Sequence, residues 1–395
     1  MSSICQSALI ICPKSADDGK RQLLGLNLLG LNVGERLLLA LSFAGVKRVA
    51  FVGEGERPQC DRADLEIVEA NELATEDEHI VLASNVVFDR SLLSEQSLPD
   101  DVALQYQRGA TLEASIAEPD SAAEAIGSGH AETGHGYGIV VNSKADARKA
   151  KRALLLSLRK PMDGITSRYL NRHVSLFITP FLLRTGLSPN FFTVVFMVIG
   201  VAAAYFATQA EFAWALVATG LLFQSQSILD GCDGEMARLT YQFSSRGQWL
   251  DSIGDDLTNY SVCFGLAIGQ ARVGDASFLY WLGGAVLAMQ VLTSAVLYRR
   301  MLIMGTGDLL AIPDLVRGDP KEGFLGSLGE LVGVLLKRDS FIFFLSILVI
   351  AQQPLYAFYI YGIGTMPMTI GVLVNEYRIG QQARLPDTAE NTAST

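Results

Sequence analysis

Five stretches of this chain run for 15 residues or more without an Asp, Glu, Lys or Arg, and they limit the fold more than any other feature. They are Phe191–Ala210, Phe212–Leu229, Leu257–Ala271, Ala276–Tyr298 and Ser340–Asn375. A helix crossing the hydrocarbon core of a bilayer needs about 20 predominantly apolar residues. The first and fourth stretches reach that length alone. The second and third reach it only by extending into the acidic segment between them. The fifth is interrupted near Gln352-Gln353-Pro354 and is long enough for two short spans joined by a tight turn. The pattern predicts six transmembrane helices. Basic residues orient them. Lys160, Arg168, Arg238, Arg246, Arg299, Arg300, Lys337, Arg338 and Arg378 fall at the expected cytoplasmic edges, whereas the outer turns near Gln209, Gly274 and Gln353 hold only Arg272. Both termini are then expected on the cytoplasmic side of the cell membrane.

Charge divides the chain. Residues 1–150 hold 13 Lys+Arg against 23 Asp+Glu, while the rest is balanced at 18 of each. An acidic, soluble head joined to a neutral apolar body argues against nucleic-acid binding. In the head, short apolar runs at Leu9–Cys12, Val46–Val52, His79–Ala83, Val102–Gln107 and Tyr137–Val141 predict strands. Gly34–Ala44 and Ala63–Leu73 predict helices between them, so a mostly parallel α/β sheet is expected. No basic segment followed by a long apolar run opens the chain, and no signal peptide is expected. Cys5, Cys12, Cys60, Cys232 and Cys263 form no CxxC pattern, and His79, His130, His135 and His173 are dispersed, so a zinc site is not expected.

The predicted organisation is a head over residues 1–150, a basic linker with a juxtamembrane helix over 151–190, a membrane body over 191–380 and a disordered polar tail over 381–395. Ten basic residues against Asp146 and Asp163 occupy 144–184. Within Ile165–Thr185, Leu170, Val174, Ile178 and Phe181 recur at helical spacing, which predicts an amphipathic helix lying on an anionic leaflet. Residues 305–338 predict a Gly-rich cytoplasmic connection whose apolar part, Leu325–Leu336, lies at the interface.

The acidic segment sits where acids are costly. A carboxylate at the bilayer midplane costs roughly 2.5–3.5 kcal/mol on insertion scales. Asp230 and Asp233 are i,i+3 and share a helix face; Asp251 and Asp255 are i,i+4 and share a face of the next helix. A short turn joins the two helices, so the pairs can face each other and form an oxygen-rich site for Mg²⁺ or Mn²⁺. Gly234, Ala237 and Gly247 leave room for close helix approach or for a phosphate. Arg238 can fork onto phosphate oxygens. Glu235 and Asp256 read as helix-end or solvated charges. An ion or solute transporter would also explain buried acids, but not the Gly/Ala/Arg pattern between them.

At every fixed position these residues match D-x2-D-G-x2-A-R-x8-G-x3-D-x3-D, and the chain resembles the CDP-alcohol phosphotransferase (phosphatidyltransferase) family over about residues 160–380. Leu187-Ser188-Pro189-Asn190-Phe191-Phe192-Thr193 is similar to the start of that family's first span. The resemblance implies an α-helical polytopic membrane protein with an N-terminal α/β nucleotidyltransferase-like domain. It also implies transfer of a substituted phosphate from a CDP-alcohol (CDP-diacylglycerol, CDP-archaeol or a CDP-polyol) to a hydroxyl, with release of CMP. Asp230, Asp233, Asp251 and Asp255 would hold one or two Mg²⁺ or Mn²⁺ ions, with Asp255 as base. Gly234, Ala237, Arg238 and Gly247 would line the CDP pocket. Arg299, Arg300, Lys337 and Arg338 would meet a phosphorylated acceptor, or simply set topology. Lipid substrates and a homodimer are expected from the same resemblance.

The head resembles a reduced cytidylyltransferase of the kind joined to such a body in inositol-phosphate cytidylyltransferase/di-inositol-phosphate phosphate synthases. The resemblance rests on Ala44–Glu54 and His79–Asp89. Two departures predict a head without catalysis. The loop Pro13–Arg21 has one glycine, and Ser84-Asn85 stands where a Gly-Asp pair would bind metal. The alternative is a bifunctional enzyme that makes its own CDP-polyol.

Overall fold

The computed structural model describes residues 6–12, 24–73, 77–89, 92–93, 104–127, 130–133, 136–159, 164–305 and 338–382. The predicted interfacial stretch Leu325–Leu336, Lys337, the whole Pro13–Arg21 loop and the tail from 383 onward lie outside those residues. The chain divides into two compact units. One comprises Met1–Lys160, Pro180–Gly186 and Ala237–Gln242; the other comprises Pro161–Thr179, Leu187–Met236 and Phe243–Thr395.

The first unit contains, in chain order, β1 (Ser7–Ile11), β2 (Asn27–Leu28), β3 (Leu31–Asn32), α1 (Val33–Phe43), β4 (Arg48–Val52), β5 (Glu66–Val68), β6 (His79–Ala83), β7 (Val86–Phe88), β8 (Leu104–Gln107), α2 (Ala110–Ala117), α3 (Pro119–Gly127), β9 (His130–Thr133), β10 (Gly136–Val140) and α4 (Lys144–Leu156). The main sheet has the order β5-β4-β1-β6-β8. Its β5, β4, β1 and β6 run parallel, and β8 is antiparallel to β6. Both central strands, β1 and β6, are buried along their whole length, as expected where a parallel sheet is covered on both faces. Helix α1 begins where Asn32 accepts from the Glu35 amide and Glu35 accepts from the Asn32 amide, a reciprocal cap that sets the boundary. A second sheet, β7-β10-β9, is antiparallel. The predicted helix at Ala63–Leu73 is absent. Ile67 and Val68 favour an extended chain, and Glu66–Val68 pairs with Arg48–Ala50 at the sheet edge. Ile67 is 68% exposed, so the apolar spacing there was not a core face.

The second unit is helical. A π turn at Ser167–Asn171 leads into α5 (Arg172–Leu183), followed by α6 (Pro189–Ala207), α7 (Ala213–Thr240), α8 (Ser245–Val273), α9 (Phe278–Met304), α10 (Arg338–Ile350) and α11 (Pro354–Gln382). Among the described residues, three stretches are long and apolar enough to cross a membrane: Pro189–Ala207, Phe278–Met304 and Pro354–Ile379. They make this a multi-pass membrane protein. Helices α7 and α8, of 28 and 29 residues, carry the acidic segment, and α10 has 13 residues.

Local chemistry starts the helices that matter. Ser188 caps α6 by accepting from the Phe191 amide, and Pro189 sits where its missing N–H costs nothing. Ser244 caps α8 by accepting from the Gly247 amide at 2.9 Å. Small residues then bring α6 and α8 into backbone contact. A Cβ on Gly265 would lie 2.5 Å from the Ala204 carbonyl oxygen; one on Gly269 would strike that of Ala207, and one on Gly200 would strike Thr258. Hydrocarbon supplies no hydrophobic drive between helices, so close packing of this kind holds the bundle.

The segment 164–183 is amphipathic, but its buried stripe is polar. Ser167, Asn171, Ser175 and Thr179 face inward, while Tyr169, Phe177 and Phe181 are exposed. Of the four residues expected to form its apolar face, Leu170, Val174 and Ile178 are half-buried and Phe181 is exposed.

Candidate active site

Helix α7 brings Asp230 to α8, where Asp251 and Asp255 lie one turn apart. One carboxylate oxygen from each of these three residues falls within 4.8 Å of the others. Three hard oxygen donors at that spacing fit a divalent cation. The fourth predicted ligand, Asp233, is not in this triad. Its buried carboxylate accepts a short hydrogen bond from the Thr193 hydroxyl of α6 and one of 2.5 Å from the Gly234 amide.

Arg338, the first residue of α10, reaches the same carboxylates. Its guanidinium forks onto both oxygens of Asp255, and its Nη1 lies 3.6 Å from Asp230 Oδ2. Three acids in an apolar bundle repel one another, and a bidentate guanidinium offsets that repulsion where it is strongest. Thus Arg338, predicted to meet an acceptor, contacts the triad itself.

The other predicted site residues are distributed along the helices. Ala237 follows Asp233 by four residues on α7 and so shares its face; Arg238 is next, and both are half-buried. Gly247 lies in the first turn of α8, where a Cβ would come within 2.8 Å of Asn190 Oδ1 and 2.9 Å of Ser244 Oγ. Arg299 and Arg300 of α9 both grip Glu376 of α11, at 2.6 and 2.5 Å. Glu376 was not singled out in the sequence, because one acid near the end of a long uncharged run reads as a boundary charge.

Two acids expected to be solvated or capping are neither. Glu235 is fully buried, and its two oxygens take hydrogen bonds from Arg172 Nη1 at 2.7 Å, Ser175 Oγ at 2.6 Å and Thr179 Oγ1 at 2.6 Å. Asp256 accepts from the Tyr298 hydroxyl at 2.6 Å and from the Ser294 hydroxyl, tying α8 to α9. For Glu235 the available signal was the i+4 recurrence of Ser167, Asn171, Ser175 and Thr179, a polar stripe along one helix face that can turn to a buried acid.

In the head, Asn85 donates through its side-chain amide to the Val141 carbonyl at 3.2 Å and to Asn142 Oδ1 at 2.9 Å. It ties the β6–β7 turn to the end of β10. Burial pushes the Cys12 thiol at the end of β1 up to about 11.

Residues 186–374 match the family model described as CDP-alcohol phosphatidyltransferase. Curated relatives include a bifunctional IPC transferase and DIPP synthase from Archaeoglobus fulgidus, 37% identical over 121 residues, or 30% of this chain and 24% of the relative. One of the same name from Aquifex aeolicus is 36% identical over 147 residues, covering 37% of this chain and 32% of the relative. An archaetidylinositol phosphate synthase from Pyrococcus horikoshii is 32% identical over 104 residues, covering 26% of this chain and 53% of the relative. The chain thus spans about a quarter to a third of the length of the bifunctional relatives it matches.

Proposed function

The chain belongs to the CDP-alcohol phosphatidyltransferase family, and from that premise we propose that its helical body transfers a substituted phosphate from a CDP-linked donor to a hydroxyl acceptor, releasing CMP. The observation that carries this reading is the triad Asp230, Asp251 and Asp255, gathered from two helices within 4.8 Å. Asp230, Asp251 and Asp255, with Asp233 beside them, would hold one or two Mg²⁺ or Mn²⁺ ions. Such a cation would supply Lewis-acid polarisation of the donor pyrophosphate and neutralise charge on the CMP leaving group. Gly234, Ala237, Arg238 and Gly247 line the CDP pocket in this proposal. Asp255 takes the proton of the attacking hydroxyl, and its oxygens must first leave the Arg338 fork. Arg338, Arg299, Arg300 and Lys337 then offer positive charge to a phosphorylated acceptor. Six spans with both termini in the cytoplasm, a homodimer and a lipid-bearing partner complete the proposal.

The relatives favour one substrate class and the bifunctional alternative. Two carry the name bifunctional IPC transferase and DIPP synthase, and the third is an archaetidylinositol phosphate synthase. We therefore place an inositol-phosphate acceptor ahead of other polyols, and a CDP-polyol donor ahead of CDP-diacylglycerol. A head that makes the CDP-polyol fits those names. A head without catalysis fits the neutral Asn85, whose amide is spent on the β10 edge.

The full chain in detergent, given CDP-inositol or CDP-archaeol with inositol phosphate and Mn²⁺, should release CMP, and EDTA should stop it. Absence of CMP with every donor and acceptor pair would reject the transferase reading. CTP plus inositol phosphate distinguishes the heads: pyrophosphate release establishes the bifunctional enzyme, and none establishes the silent head.

A further inference from the structure

We infer that Glu235, at a position the motif leaves free, is a positioning residue that fixes the rotation of the aspartate helix from behind; this rests on the proposal that the triad binds a divalent cation. Its side chain is 0% exposed, and both carboxylate oxygens are occupied by donors from Arg172, Ser175 and Thr179. Those donors span two turns on one face of the juxtamembrane helix, yet they converge on a single carboxylate of α7. Only one rotation and one height of α7 satisfy all three. A carboxylate buried there without Arg172 would be strongly unfavourable, so the arrangement resists slipping.

Glu235 stands on the side of α7 away from the metal acids. At about 100° per residue it projects about 140° around the axis from Asp230 and about 160° from Asp233. The clasp therefore fixes the front of the helix by holding its back. The neighbouring residues are shaped for it. Gly231 lets Arg172 run alongside, with Nη1 3.6 Å from where a Cβ would stand, and the Cys232 thiol lies 3.8 Å from the Ser175 carbonyl oxygen. On the opposite side, Asp233 is held by Thr193 of α6. The helix is thus braced on both faces, and Asp230 is left to complete the triad with α8.

The test uses the purified full chain in nanodiscs, with Mn²⁺ binding read by electron paramagnetic resonance, alongside thermal unfolding and CMP release. Glu235→Gln keeps the volume but unpairs Arg172, and should weaken Mn²⁺ binding at least tenfold. Arg172→Met should do the same by unpairing Glu235. Glu235→Gln with Arg172→Met removes both charges; it should unfold near the wild-type temperature while Mn²⁺ binding stays weakened. A merely structural role would lower the unfolding temperature of the single variants and leave the double variant's Mn²⁺ affinity at the wild-type value, which would overturn the inference. A folded Glu235→Gln variant with wild-type Mn²⁺ affinity would overturn it too. If a single variant fails to fold, the double variant decides. Wild-type protein that binds no Mn²⁺ would instead sink the metal reading, and the inference with it.

Discussion

Arg338 and a divalent cation want the same oxygens, and their competition can be put on a scale. The guanidinium occupies both oxygens of Asp255 and sits 3.6 Å from Asp230. A unit-charge pair about 4 Å apart, at an effective dielectric of about 20, interacts by about 4 kcal/mol. The Arg338 side chain is 37% exposed, so water screens much of that and about 1–2 kcal/mol of net coupling remains. At about 1.4 kcal/mol per factor of ten, this amounts to roughly a five- to thirtyfold handicap on the incoming ion. Replacing Arg338 by Met keeps most of the length and removes the charge. The Mn²⁺ dissociation constant should fall about tenfold, and Arg338→Lys, a point charge without the fork, should fall in between. Electron paramagnetic resonance titration measures this directly. The same variant should raise KM for a phosphorylated acceptor, because the displaced guanidinium is the group meant to receive it. Unchanged or weaker Mn²⁺ binding in Arg338→Met would refute the reasoning.

Asp255→Asn should retain the fold by thermal unfolding yet lose CMP release by about 10²–10⁴-fold, the usual worth of a positioned base. Gly265→Ala places a methyl 2.5 Å from the Ala204 carbonyl oxygen, and should destabilise the bundle by about 1–3 kcal/mol, read in detergent unfolding. Cys12, raised from 9.0 to about 11 by burial, should resist alkylation at neutral pH, while half-buried Cys60 reacts before it. Because the folded value lies above the unfolded one, that contribution to head stability is complete below pH 9 and is lost as pH climbs through about 11. Denaturation monitored across that window checks it.

The triad was legible because it rests on local arithmetic. Spacings of three and four residues place carboxylates on helix faces whatever the rest of the chain does, and uncharged runs announce helices that leave water. What escaped depends on which helix stands behind which. Glu235 and Asp256 looked like end charges because their partners lie elsewhere in the sequence: Arg172 pairs with Glu235, and the Ser294 and Tyr298 hydroxyls donate to Asp256. The segment 164–183 was read for its apolar face, yet in a bilayer the apolar face looks outward and the polar stripe carries the information. Asp233 shares a face with Asp230 by spacing, but Thr193 captures it, and that partner lies 40 residues away. In the head, Ala63–Leu73 had helical spacing over too short a run to outweigh an open sheet edge beside Arg48–Ala50.

Where α6 meets α8, Gly265 and Gly269 lie against the carbonyl oxygens of Ala204 and Ala207, with little side chain between the two backbones there. Interdigitated side chains can change rotamer and let two helices slide by fractions of a turn; bare backbone cannot. That closely packed pair carries Thr193, Asp251 and Asp255. Movement that admits substrate is expected on the other side of the triad, where the long Arg338 side chain of a 13-residue helix reaches Asp255.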